Sequence, residues 1–197
     1  NNVVYSITTT EEKINEKYED IRFHKININN GSSEDRSANM PVFPFYDDEE
    51  WFYTQGAYNM TLAVKPDDEN FVLLGLTNLF RSRDGFATKP DSTDKDVDAD
   101  VFIGGYINPS DTYPNNHPDH HVLAFDPTDP NKMWNGNDGG IYLIIDIRQT
   151  LTGNQTLSWI DKNQGYNVTQ FYTASIANVA DDTRIMGGTQ DNGTPYF

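Results

Sequence analysis

The chain has 197 residues, with 14 Lys+Arg against 30 Asp+Glu, a formal net charge of −16 and a pI near 4.3. That balance excludes a basic phosphate-binding surface, and with it nucleic acid or an anionic membrane face as partner. The absence of cysteine excludes disulfides, thiol nucleophiles and thiolate-bound zinc, aromatics at 13% argue against a disordered acidic chain, and no apolar run reaches the roughly 20 residues of a bilayer span.

Val3–Ile7 and Ile21–Ile26 read as strands. Between them, Thr9-x-x-Glu12 forms a capping box and Ile14, Tyr18 and Ile21 share one helical face, so a helix is predicted over 9–23. Asn30–Asn39 is a polar segment. Gln55–Val64 leads into a strand, Thr61–Pro66, followed by a turn at Asp67–Asn70 and strands at Phe71–Gly75 and Leu79–Asp84. Lys89–Asp100 has no apolar periodicity and reads as an exposed loop. The pattern then recurs: Val122–Pro127, a turn at Thr128–Asn131, Lys132–Gly136 and Ile141–Asp146. Pro66 and Pro127 are 61 residues apart, and each precedes a glycine, Gly75 or Gly136, by nine residues. A third, weaker copy runs through Phe171–Ile176, a turn at Asp181-Asp-Thr183, and Arg184–Gly188.

Short strands repeating every ~50–60 residues predict an all-β chain built as a partial β-propeller of four-stranded blades. The blades are expected over roughly 1–52 (partial), 53–115, 116–165 and 166–197 (partial). A closed ring needs at least about four blades, so the chain reads as a fragment of a longer polypeptide. Its Asn1-Asn2 start and Thr194-Pro-Tyr-Phe197 end fit that expectation.

Ser82-Arg-Asp84-Gly85-Phe-Ala-Thr88 resembles an Asp-box, the Ser-x-Asp-x-Gly-x-Thr-Trp hairpin of sialidase, sortilin-like and xyloglucanase-type propellers. Gly85 comes one position early, Lys89 stands where Trp is usual, and the second copy keeps Asp146 with a delayed Trp159. His117-Pro-Asp119-His-His121 through Asp126-Pro127, Gly136-Asn-Asp138-Gly-Gly-Ile-Tyr142 and Gly187-Gly-Thr-Gln-Asp191-Asn-Gly-Thr194 extend the resemblance to secreted bacterial Asp-box propellers over about residues 53–197. The resemblance implies an extracellular or cell-surface location and export with a type IX sorting domain. It also implies a non-catalytic role, binding other chains of a surface or secretion assembly or a polysaccharide. The alternative is a glycoside hydrolase acting on a β-glucan such as xyloglucan.

Alternation on a strand puts His117, Asp119 and His121 on one face. Two imidazoles and a carboxylate suit a transition metal, a catalytic site, or a hydrogen-bonded polar plug, while His120 falls on the other face as an ordinary residue. Asp119 and Asp138 are the carboxylates a glycosidase would use; Asp138 and Asp191 sit in equivalent Asx/Gly turns. Trp51, Tyr53, Tyr106, Tyr113 and Trp134 are candidate exposed rings for stacking a sugar or a partner, with Asp191 as a polar contact. Asp94-x-Asp96-x-Asp98-x-Asp100 offers oxygen ligands for a loose Ca²⁺ site, but Ala99 and Gly105 stand where an EF-hand needs Gly and Glu.

Overall fold

The computed structural model describes residues 2–14, 18–41, 54–90, 92–93, 96–97, 99–108, 111–166 and 168–196. It divides into two units, Asn1–Lys162 and Asn163–Phe197. The described residues are strands and turns apart from one short 3₁₀ turn, Ser37–Asn39, so the chain is all-β, built from several small antiparallel sheets.

The first unit opens with three strands, β1 (Val3–Ile14), β2 (Tyr18–Asn27) and β3 (Ser33–Asp35), paired in that order. The helix expected over 9–23 is not formed. Thr9 pairs with Ile21 and Ile14 with Tyr18 across a long hairpin. The run Val3-Val-Tyr-Ser-Ile-Thr-Thr-Thr10 is rich in β-branched residues, which favour an extended chain and outweigh a thin apolar stripe.

Two four-stranded meanders follow. The first is β4 (Thr61–Lys65), β5 (Asp68–Gly75), β6 (Leu79–Ser82) and β9 (Phe102–Gly104). Two small ladders flank β9: β7 (Ser92–Thr93) with β8 (Asp96–Val97), and β10 (Tyr106–Asn108) with β11 (Asp111–Thr112). The second meander is β12 (His120–Phe125), β13 (Met133–Asn137), β14 (Gly140–Ile144) and β15 (Ile160–Asp161). The repeat read from the Pro and Gly spacing is therefore a sheet of four strands in sequential antiparallel order, present twice. In the second unit, β16 (Phe171–Ile176) pairs with β17 (Ile185–Thr189), and Tyr196 bridges to Met186.

Strand β12 lies against β4 and β5, which packs the two meanders face to face. Gly75 is required there: a Cβ would stand 2.6 Å from Thr61 Cγ2 and 2.9 Å from His120 Cβ. The core runs through Phe71, Leu73, Leu74, Phe80, Ile103 and Met133, all fully buried. Arg81 is also fully buried and donates to Ile147 O, Gln149 O, Asp100 O and Asp100 Oδ1. It joins the first meander to the loop after β14. Trp159 closes the same junction, its Nε1 donating to Ile103 O at 2.8 Å.

The Ser82–Thr88 turn has the geometry its residues require. Asp84 accepts from Ser82 Oγ (2.8 Å), Ala87 N (3.1 Å), Thr88 N (3.1 Å) and Thr88 Oγ1 (2.6 Å), and Ser82 Oγ accepts from Phe86 N (2.7 Å). Burial alone would raise the Asp84 carboxyl; the hydrogen bonds outweigh it and hold it below its usual range. Gly85 and Phe86 both have positive φ, +67° and +57°. The strict motif keeps glycine at the second of these places. Here Phe86 takes the strain, offset by complete burial against Phe23, ring centroids 5.5 Å apart. At Gly85 a Cβ would also meet Tyr5 Oη at 2.2 Å. The segment after β3 clamps the turn from outside, through Arg36 Nη1 to Asp84 O and Gly85 O and Asn39 Nδ2 to Phe86 O and Ala87 O. The second copy is reduced: Asp146 Oδ1 accepts only the Arg148 amide, at 2.9 Å, among the described bonds. Asp84→Ala takes the carboxylate acceptor from the Thr88 amide and hydroxyl, leaves the Ala87 amide only its longer bond to Asp84 O, and is expected to cost about 2 kcal/mol in urea unfolding. A change below about 0.5 kcal/mol would mean that the outer clamp alone holds the turn.

Candidate functional site

Three chain segments meet at one end of the paired meanders. The segment before β4 brings Gln55, Tyr58 and Asn59. The turn between β5 and β6 supplies backbone carbonyls, with Asp119 N donating to Thr77 O and His120 N to Leu76 O, both 2.9 Å. The tight turn after β13 carries Asp138, whose amide donates to Asp119 O at 3.2 Å.

Asp119 lies just before β12 with φ +63°, a left-handed conformation that Asp tolerates better than most residues. Its Oδ1 accepts from Gln55 Nε2 at 2.6 Å and Asn59 Nδ2 at 2.7 Å. Burial pushes the Asp119 carboxyl above its usual range. The Asn59 bond lowers it in part, and the nearby Asp138 charge raises it further. His121 Nε2 meets Asp138 Oδ1 at 2.6 Å, and the exposed Tyr58 ring packs edge-on against His121 at 5.0 Å. Carboxylate, amide, imidazole and aromatic ring thus share one exposed rim.

The expected alternation of His117, Asp119 and His121 is not realised, because the strand starts only at His120 and its register shifts between His120 and Val122. His117 rests over Gly139, and its Nδ1 faces Pro118 O at 3.1 Å. Among the described residues no three His, Asp or Glu side chains gather to hold a metal ion. Asp119 Oδ1 takes two amide donors, and His121 Nε2 is on Asp138. The calcium reading of the acidic loop also loses a ligand, since Asp100 is bound by Arg81, Arg83 and the Leu151 amide. Asp94 and Asp98 lie outside the described residues, as does the side chain of Asp96.

The aromatic candidates separate. Trp51 and Tyr53 lie outside the described residues. Tyr113 is buried rather than exposed, its ring edge-on to Phe102 and its Oη accepting Leu157 N at 2.6 Å; it is a core residue. Tyr106 is partly buried against the same core, while Trp134 is exposed on β13. Asp191 belongs to the second unit, exposed in a turn with φ +55°.

His120, read from the sequence as ordinary, is fully buried, with Nδ1 3.1 Å from Asn135 Oδ1. The same oxygen accepts from Asn116 Nδ2 (3.1 Å) and Asn137 Nδ2 (2.9 Å). This neutral polar knot supports the rim from beneath. Gln55, Tyr58 and Asn59 belong to no catalytic or metal-binding motif; their shared signal in the sequence is their place in the Gln55-Gly-Ala-Tyr58-Asn59 lead-in to the first repeated strand. Comparison with protein-family models and with curated proteins finds no match to this sequence.

Proposed function

We propose that this chain is a non-catalytic segment of a secreted or cell-surface Asp-box β-propeller, and that it binds a polysaccharide on the rim formed by Gln55, Tyr58, Asp119, His121 and Asp138. The propeller reading is supported by the two sequential four-stranded meanders packed face to face, by the Asp-box turn at Ser82–Thr88, and by the paired strands of a third repeat. Surface location and type IX export follow the sequence resemblance. Among the described residues no helix is long and apolar enough to cross a membrane.

The observation that carries the binding reading is the Asp119 cluster. Two amide side chains fix one carboxylate oxygen, and a His–Asp pair stands beside an exposed tyrosine ring. Sugars are held by that combination of oriented acceptors and donors with an aromatic edge or face. Isothermal titration of the whole protein with soluble β-glucans is expected to show binding. Asp119→Asn and Tyr58→Ala should each weaken it about tenfold or more. Equal affinity of both variants and the parent would reject the rim as the site.

One feature favours the hydrolase alternative: Asp119, raised by burial and by the Asp138 charge, has the character of a general acid beside a second carboxylate. Release of reducing ends from the same glucans, lost in Asp119→Asn, would establish it; binding without product supports the non-catalytic reading.

A further inference from the structure

A buried polar atom without a hydrogen bond has lost its hydration for nothing, so buried polar atoms are almost always paired. Among the described residues six buried side-chain atoms have no protein partner, and four of them belong to Asn59, Asn78, Asn116 and His120: Asn59 Oδ1, Asn78 Nδ2, Asn116 Oδ1 and His120 Nε2. These four residues are at most 2% exposed. All of them are tied to the turn between β5 and β6. Asn59 Nδ2 donates to Thr77 Oγ1 at 3.1 Å, Asn78 lies in the turn itself, and His120 N donates to Leu76 O at 2.9 Å. Asn116 rests on Gly104, the strand partner of Leu79, and shares Asn135 Oδ1 with His120.

The chemistry of the four atoms is one-sided. Asn135 Nδ2 donates to Val122 O at 3.2 Å, which leaves its oxygen to face His120 Nδ1. The imidazole proton therefore sits on Nδ1, and Nε2 is a bare acceptor. Burial holds the ring neutral at ordinary pH, its pKa pushed down to about 3. One donor, Asn78 Nδ2, thus stands against three acceptors. Asn116 Oδ1 is met by the Gly104 α-hydrogens, since a Cβ there would lie 2.1 Å from it, and a weak C–H donor serves that oxygen. Asn78 Nδ2, Asn59 Oδ1 and His120 Nε2 are left, and they match one molecule that accepts one hydrogen bond and donates two. An anion would face two lone-pair atoms, and a metal cation would face the Asn78 amide hydrogens. Neutral water suits all three.

We propose that this place binds one internal water, which accepts from Asn78 Nδ2 and donates to Asn59 Oδ1 and His120 Nε2, and that this water positions Asp119. Three hydrogen bonds are the usual number for a buried water. The Asn59 amide is then fixed at both ends: its Oδ1 on the water, its Nδ2 on Thr77 Oγ1 and on Asp119 Oδ1 at 2.7 Å. His120 and Asn78 act on the Asp119 carboxylate through the water and Asn59, as positioning residues. The water site is independent of whether the rim binds a saccharide.

A high-resolution crystal structure of the full chain is expected to show a water oxygen about 3 Å from each of the three atoms. In solution, nitrogen-15 spectra should place the His120 proton on Nδ1, and NOEs from bound water should reach the Asn78 side-chain amide. No water at this place, a protein group bonded directly to His120 Nε2, or the proton on Nε2 each overturns the site. The positioning role is read separately in His120→Phe, which removes Nε2 while Asn135 Oδ1 keeps its bonds from Asn116 and Asn137. With the water anchor gone, Asn59 holds Asp119 less firmly, and the Asp119 midpoint in a carbon-13 carboxyl titration should move upward. Asp138, His117 and His121, the charged or titratable groups that act on Asp119, are unchanged, so the shift reports the Asn59 bond. His120→Leu is a second replacement with the same expectation. A midpoint that stays in place in the folded variant overturns the positioning role.

Discussion

Replacing Arg81 with methionine is expected to lower stability by about 3 kcal/mol, near the lower bound for breaking a buried ion pair by removing one partner. The side chain is fully buried, and its guanidinium reaches two carbonyls of the loop after β14 as well as Asp100. Methionine fills most of the volume but leaves Ile147 O and Asp100 O without this donor. Arg83 limits the damage: it also donates to Asp100 Oδ2, at 2.6 Å, and to Gln149 O, at 3.2 Å. Burial alone would raise the Asp100 carboxyl, yet Arg83, the Leu151 amide and the Arg81 charge together hold it below its usual range. Arg81→Lys keeps the charge but not the planar fork, and should recover less than half of the loss. Urea unfolding of the whole protein, read at constant slope, measures both. A loss below about 1 kcal/mol for Arg81→Met would show that apolar contact alone holds the two meanders together.

The sequence displays the repeat because its signals are local. Proline ends a strand, Asp and Asn make the turn, and a glycine follows at the same spacing, so Pro66/Gly75 and Pro127/Gly136 match without any knowledge of which strands pair. The Asp84 turn is legible for the same reason. The hairpin over Thr9–Ile21 is not: a capping-box spacing and three apolar residues fit a helix on paper, and only pairing with a partner strand decides for β. The candidate site shows the same division. Asp119, His121 and Asp138 stand out in the sequence as chemistry-bearing residues, but the alternation that would group them with His117 is broken by the register shift after His120. A bulge and a positive φ leave no dependable mark in a single sequence. His120 therefore departs from the expectation of an ordinary residue: the histidine is fully buried, while the aspartate is held at the rim by Gln55 and Asn59. Phe171 and Gly187 stand at the register positions of His120 and Asn135.

That substitution between repeats points to acid sensitivity centred on His120. Full burial pushes its pKa down from 6.5 to about 3, the Asn135 bond opposing only in part. The unfolded chain therefore takes up this proton first. The histidine contributes stability that is fully present above pH ~6.5 and lost as the pH falls toward 3, at about 1.4 kcal/mol per pH unit. From pH 7 to pH 5 the expected loss is about 2 kcal/mol. Asp119 works in the opposite direction: its raised carboxyl makes the fold bind a proton more readily than the unfolded chain, so acidification relieves that cost. Asp84 and Asp100, held low, lose their contribution only as the pH approaches and passes the ordinary carboxylate range. The window between pH 6.5 and 5 thus belongs chiefly to His120. His120→Gln keeps a donor for Asn135 Oδ1 and does not titrate. Its unfolding free energy should lie below the parent at pH 7 and change little by pH 5. The relief of self-repulsion in a chain of net charge −16 is common to both proteins and cancels in the comparison. Parallel pH profiles for the parent and His120→Gln would remove the histidine from the account and place the acid response on the carboxylates.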